Sequence, residues 1–325
     1  MKFGAVHIAA ELMCYNTVIM VGRSKKVIQF SGATKRFGTF AAVDNVTCSV
    51  APGEVVGFVG ENGAGKTTTI NMLLGFTSPT SGSVAVFGER VTPATAHFAH
   101  RRMGYAAGDM ELPGQMTGRQ YLDFVMAQHR GKHASQRASL VKHFRPQLDK
   151  KMSQLSRGNK QKIALIAAFA ANPELVVLDE PTSGLDPVMQ AVFLRLVERE
   201  RTKGTTIFMS SHYLQEVAEV CSRVLLMKNG RIVEDLSAAQ LARTGGKTVR
   251  VVTTATVSLP KTHVSDVVHS HPGKYLETTF VYTGTAAHLT KWLGDLKGLH
   301  DVDISERTLE AEFRSIYDST AGGRA

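Results

Sequence analysis

Residues Leu155 to Pro187 read LSRGNKQKIALIAAFAANPELVVLDEPTSGLDP. A polar Ser-x-Gly turn at Ser156 to Gly158 opens a helical stretch, Asn159 to Ala171. Beyond Pro173 comes a short apolar segment of buried-strand type, Leu175 to Leu178, which ends on Asp179-Glu180. Ser183-Gly-Leu-Asp186 makes a second turn, and a helix is predicted over Val188 to Arg201. An apolar run ending in two acids is usually just a strand end. Its meaning depends on what lies upstream.

Upstream, Gly60-Glu61-Asn62-Gly63-Ala64-Gly65-Lys66-Thr67 fits the P-loop pattern G-x-x-x-x-G-K-[ST]. A chance match in a chain of this length is on the order of one in a hundred. The β-rich run Glu54 to Val59 precedes the loop, and a helix is predicted from Lys66 to Leu74. The residue types suit phosphate chemistry. Glycines let backbone N–H groups turn in around phosphate oxygens, and the helix N-terminus points its positive end at them. Lys66 supplies a point charge to the β and γ oxygens, and the Thr67 hydroxyl ligates Mg²⁺. Thr68 extends the candidate nucleotide contacts. With a P-loop present, Asp179 is placed to steady the Mg²⁺ shell. Glu180 is placed to act as general base toward the attacking water. ATP and Mg²⁺ are the expected ligands.

Working outward, Val27 to Phe37 and Ala41 to Gly53 read as antiparallel strands, with Pro52-Gly53 as the turn leading into a hairpin. Ser83 to Phe87 reads as a strand. Arg119 to His129, Ser135 to Phe144 and Asn159 to Ala171 form a helical subdomain over about 110–172. Strands follow at Thr205 to Met209, Arg223 to Met227 and Arg231 to Glu234, the last two forming a hairpin across Asn229-Gly230. Tyr213 to Cys221 reads as helical. After Thr244 a small appendix begins. It has strands at Val249 to Thr253, Thr279 to Tyr282 and Asp301 to Ser305, and helices at Ala286 to Leu296 and Leu309 to Tyr317.

The chain resembles the ATP-binding subunit of an ABC transporter over about Val27 to Leu241. Leu155-Ser156-Arg157-Gly158-Asn159 resembles the signature LSGGQ, and Ser183 to Asp186 resembles the D-loop. Ser211-His212 resembles the switch histidine, and Phe37 in Lys35-Arg-Phe-Gly38 resembles the aromatic that stacks on adenine. The resemblance implies an α/β fold: a P-loop NTPase core with an antiparallel β subdomain and a helical subdomain, plus a small C-terminal α+β domain. The expected division is 1–27 as an extension, 28–244 as the ATP-binding domain and 245–325 as an accessory domain.

The same resemblance implies two ATPs sandwiched head to tail between two such subunits. Lys66, Thr67, Asp179, Glu180 and His212 then act from one side, with Ser156 and Gly158 of the facing subunit over the γ-phosphate. The partners implied are an integral membrane permease and a second ATP-binding subunit, homo- or heterodimeric. The place implied is the cytoplasmic face of the cell membrane. The tail Asp301 to Phe313 resembles export-type subunits, which favours export of a drug, lipid or polymer. A non-transport regulatory ATPase and a weakly hydrolysing, nucleotide-gated binding module are the rival expectations.

Three departures from the family pattern stand out. Arg157 and Asn159 replace Gly and Gln in the signature. Gly108 occupies the position of the family's Mg²⁺-ligating glutamine, leaving Asp109 or a water to take that role, or an altered coupling. Residues 1–27 have no counterpart, carry no signal-peptide pattern, and offer Met13 and Met20 as alternative starts.

Composition sets further bounds. The longest apolar run, about Ala164 to Ala171, is far short of the ~20 residues that cross a bilayer. The cysteines at 14, 48 and 221 are scattered, which suits a reducing compartment. Of a net charge of +10, most falls between 101 and 162, where thirteen Lys/Arg face four Asp/Glu. That stretch is read as a solvated face, or as a surface for lipid headgroups or a partner's acidic loop. Nucleic acid ranks last because stacking aromatics are few. His263, His269 and His271 fit no zinc spacing and are read as a surface loop.

Overall fold

The computed structural model describes residues 26–109, 111–129, 134–237, 240, 246–271 and 273–306, without the side chains of Gln215 and Glu216. The helix expected over Leu309 to Tyr317 and nearly all of the N-terminal extension lie outside the described residues. Chain contacts divide it into two units: Met1–His212 with Leu226–Val233, and Tyr213–Leu225 with Glu234–Ala325.

In the first unit, β1 (Ile28–Phe37) and β2 (Phe40–Val50) form a hairpin that turns at Gly38, with Phe37 opposite Phe40. The Pro52-Gly53 turn does not make this hairpin. It carries the chain out of the antiparallel sheet into β3 (Val55–Val59), because Val55 to Val59 pairs in parallel with a distant strand. β4 (Ser81–Val86) and β5 (Glu89–Arg90) complete the antiparallel sheet in the order β2-β1-β4-β5.

The second sheet holds the core. β6 (Met103–Ala107), β7 (Leu175–Asp179), β8 (Thr206–Ser211) and β3 lie side by side in parallel, in the order β6-β7-β8-β3. β9 (Arg223–Lys228) and β10 (Arg231–Ser237) extend that sheet beyond β3; their Leu226–Val233 portion belongs to the first unit. β3, β7 and β8 are buried at every position. This is the expected behaviour of a parallel strand covered on both faces, and it explains their near-continuous apolar sequences.

Helix α1 (Lys66–Leu73) follows β3, and a short helix α2 (Ala96–His100), not anticipated from the sequence, precedes β6. The helical subdomain comprises α3 (Gly118–Ala127), α4 (Ala134–Phe144) and α5 (Arg157–Ala170). Thr117 and Gln120 form a capping box at the start of α3, each side chain accepting the other's backbone N–H, at 3.2 and 2.9 Å. α5 is buried from Ile163 to Ala170, so it is a core helix rather than an amphipathic one. α6 (Pro187–Thr202) starts at an Asp186 cap, with Pro187 in the first turn.

In the second unit, α7 (Leu214–Val220) is followed, beyond β10, by a sheet in the order β12-β13-β11-β14. Its strands are β11 (Lys247–Thr253), β12 (Val264–Ser270), β13 (Leu276–Tyr282) and β14 (Leu299–Glu306). Helix α8 (Ala286–Gly294) packs Leu289 and Trp292 onto Val249, Val251, Phe280 and Tyr282. β12 corrects the loop reading of the histidine cluster. His269 lies within a strand and bonds the Thr278 hydroxyl across the pair at 3.0 Å. Nearly every residue of this edge strand is exposed, valines included, so there is no alternation to read. Among the described residues no three His, Cys, Asp or Glu side chains gather as a metal set.

Gly104 lets β6 and α5 meet. A Cβ there would stand 1.8 Å from the Ala168 carbonyl oxygen, a backbone atom that cannot swing aside. Gly104→Ala is expected to cost about 3 kcal/mol, read as a lower midpoint of chemical denaturation, with Gly114→Ala, whose Cβ meets nothing closer than 3.6 Å, as the control.

Candidate functional site

The loop Gly60–Gly65 joins the end of β3 to α1. Gly63 and Gly65 take φ of 82° and 107°, where side chains are disfavoured. At Gly65 space forbids one as well, since a Cβ would lie 2.4 Å from the Ala42 carbonyl oxygen. The Ala64 carbonyl accepts the Gly230 N–H at 2.9 Å, which ties the loop to the β9–β10 turn.

Lys66 is buried, and its Nζ is held by the carbonyl oxygens of Gly60 at 2.6 Å and Glu61 at 3.2 Å. Its third neighbour is Glu180 Oε1 at 3.5 Å. The other oxygen of Glu180 bonds His212 Nδ1. Opposite a carboxylate, that nitrogen carries the proton and donates. Glu180 therefore sits between two cationic or donor groups contributed by different loops. It does so with φ of 50°, a left-handed conformation that costs a non-glycine residue about 1 kcal/mol.

Asp179 ends β7 and is buried. It accepts a hydrogen bond from the Ser210 hydroxyl, and the same hydroxyl accepts the Glu180 N–H at 3.0 Å. Ser210 belongs to none of the sequence motifs. The available signal is a pair of serines, Ser210-Ser211, at the end of a fully buried strand and just before His212.

A cleft of about 720 Å³ gathers Asn62, Gly63, Gly65, Lys66, Thr67, Thr68, Asp179, Glu180 and His212. Gly60, Glu61 and Ala64 belong to the same loop but do not line the cleft. Phe37, Ser156 and Gly158 stand outside the lining. Phe40, across the hairpin from Phe37 and largely exposed, lines the cleft instead. A larger cleft of about 1100 Å³ contains none of the site residues. Its acids are already engaged, Glu174 with Arg102 and Glu200 with Lys203 and Arg199.

Two of the departures, at Gly108 and in the signature at Arg157 and Asn159, have local physical accounts. At Gly108 a Cβ would meet the Glu180 carbonyl at 2.6 Å, and the Gly108 N–H donates to the Asp179 carbonyl at 2.7 Å. The position is closed to any side chain because the end of β6 lies against the Glu180 turn. Arg157 pairs with Asp109 and donates to the Ser183 hydroxyl at 2.7 Å, so its guanidinium joins the signature turn to two loops of its own chain. Asn159 donates its amide to the Ser156 hydroxyl at 3.2 Å, and its side-chain oxygen accepts the Gln147 N–H at 3.2 Å. Ser156 in turn caps α5. Elsewhere in the basic stretch Arg102, Arg119 and Arg137 are paired with Glu174, Asp149 and Asp123. Part of its positive excess is thus neutralised on the surface.

Tyr105 also lines the cleft. Burial, and after it the charge of Asp179, push its phenol up to about 12. The folded state therefore holds this proton more tightly than the unfolded chain does. The resulting stability is complete below about pH 10 and is lost as pH rises from about 10 to about 12. In an absorbance titration of phenolate, Tyr105→Phe is expected to remove a late-titrating group and to flatten the fall in stability over that interval.

Residues 43–183 match the ABC transporter protein family. The chain is 35% identical over 214 residues to the Nod factor export ATP-binding protein I of Burkholderia thailandensis, an alignment covering 64% of this chain and 70% of that protein. It is 34% identical over 217 residues to the bacitracin transport ATP-binding protein BcrA of Bacillus licheniformis, covering 65% and 69%. A solved ATP-binding subunit of an ABC transporter superposes with a TM-score of 0.62 at 26% identity, covering 67% of this chain and 92% of that one. A dimeric bacterial ABC transporter cassette gives 0.60 at 22% identity over 65% and 98%, which bears on the fold alone.

Proposed function

This chain belongs to the ABC transporter family of ATP-binding proteins, and from that premise we propose that it hydrolyses ATP to power export through a separate membrane permease. The observation that carries the reading is the meeting of Lys66, Glu180 and His212 at one cleft edge, with Lys66 Nζ 3.5 Å from one Glu180 oxygen and His212 on the other. Export is supported by the relatives, one named for Nod factor export and one for bacitracin transport. The cargo class, a drug, lipid or polymer, is selected by the permease. No described helix is long and apolar enough to cross a membrane, in keeping with a subunit that reaches the inner face of the membrane through that partner.

The roles follow from position. Phosphates entering the loop replace the Gly60 and Glu61 carbonyls as partners of Lys66, exchanging neutral acceptors for charged ones. Glu180, oriented by His212, accepts a proton from the attacking water. The Thr67 hydroxyl and Asp179 carboxylate are hard oxygen donors on the same cleft and fit Mg²⁺, which when bound neutralises phosphate charge. Phe37 and Phe40 are the aromatics available to the adenine. Ser156 and Gly158 lie outside their own chain's cleft and are assigned to the nucleotide of a second subunit, with the positive end of α5 behind them. Residues 28–244 are assigned as the ATP-binding domain and 245–325 as an accessory domain. The exposed basic face of the helical subdomain suits the anionic leaflet or an acidic loop of the permease.

Glu180→Gln is expected to keep ATP binding, slow turnover roughly a hundredfold or more, and accumulate an ATP-bound dimer visible by size-exclusion chromatography. Unchanged steady-state hydrolysis would remove Glu180 from the base role. Lys66→Ala is expected to weaken fluorescent-ATP binding by about tenfold or more; equal affinity in the titration would contradict the phosphate assignment.

A further inference from the structure

Ser210 is the penultimate residue of β8 and is wholly buried. Its side chain meets two consecutive residues of the neighbouring strand end. The hydroxyl proton goes to Asp179 Oδ1, and an oxygen lone pair takes the Glu180 N–H at 3.0 Å. One hydroxyl can make both bonds because it is a donor and an acceptor at once. Ala, Val or Cys in that space would leave one or both groups poorly satisfied.

The Glu180 amide needs this partner. β7 ends at Asp179, so the chain leaves the ladder at the next residue, and Glu180 turns there with φ of 50°. From the other side the Asp179 carbonyl is tied to the Gly108 N–H at 2.7 Å. Two residues beyond Ser210, His212 bonds the Glu180 carboxylate. The end of β8 therefore grips Glu180 twice, by its backbone through Ser210 and by its side chain through His212. It also fixes the rotamer of Asp179.

We propose that Ser210 is a positioning residue for hydrolysis: its buried hydroxyl locks the Asp179-Glu180 turn so that one carboxylate faces the phosphate side and the other faces the attacking water. The proposal rests on the assignment of Glu180 as the base, and the test separates the two.

In the purified full chain, Ser210→Ala is expected to lower kcat at least tenfold while changing the KM for ATP by less than about threefold. Ser210→Thr, which keeps the hydroxyl, is expected to recover most of the loss. In single-turnover measurements on the Glu180→Gln background, Ser210→Ala is expected to add little further loss, because it acts through Glu180. If Ser210→Ala does not fold by circular dichroism, Ser210→Cys replaces it, with a similar volume and a weak donor and acceptor. A folded Ala or Cys variant with wild-type kcat overturns the proposal, even if its melting temperature falls. So does a full additional tenfold loss on the Gln background. If Glu180→Gln itself leaves turnover unchanged, the base assignment fails first, whatever Ser210 does.

Discussion

The carboxylate of Glu180, shared between Lys66 and His212, is the interaction on which the site depends. Three loops from three strand ends meet there. β3 delivers the P-loop, β7 delivers the acids, and β8, lying between them in the sheet, delivers the histidine. The strands are parallel, so their C-terminal ends fall on one edge and the loops that leave them converge. Open parallel sheets commonly place their ligands at such an edge.

Close backbone packing makes that convergence possible. Gly65 abuts Ala42, Gly104 abuts Ala168, Gly108 abuts Glu180, and Gly158 abuts Gly184, in each case with a carbonyl oxygen where a Cβ would stand. The sheet, the helical subdomain and the loop after Glu180 are thus fitted backbone to backbone around the cleft. Arg157 adds a polar tie from the signature turn to Asp109 and Ser183. The pair with Asp109 is well exposed, so it contributes direction more than stability.

Much of the fold could be read directly. Leu175 to Leu178 and Val55 to Val59 are uninterrupted β-type apolar runs, and burial on both faces is what such runs imply. Thr117 with Gln120, and Asp186 with Pro187, cap helices through local chemistry that needs no tertiary contact, although the sequence reading starts those helices one or two residues later, at Arg119 and Val188. The reading failed where local signals were weak or ambiguous. Pro52-Gly53 is a good turn, but nothing near it says whether the next strand folds back or crosses to another sheet. Val264 to Ser270 is an edge strand with exposed residues along its length, so no periodic burial pattern betrays it.

For the site, the sequence determined the chemical parts: a glycine-rich loop with Lys66 and Thr67, an acid pair after a buried strand, and a histidine after another. These are legible because phosphate and carboxylate chemistry demands particular side chains at short, fixed spacings. Only the tertiary structure decided which parts touch. It set Phe40 rather than Phe37 at the cleft, closed Gly108 to any side chain, turned Arg157 toward its own chain, and placed the hydroxyl of Ser210 beneath Asp179 and Glu180. The last three of those outcomes depend on residues 26 or more positions apart, or on the clearance between two backbones. Strand register and close packing fix such distances, and no local pattern encodes them.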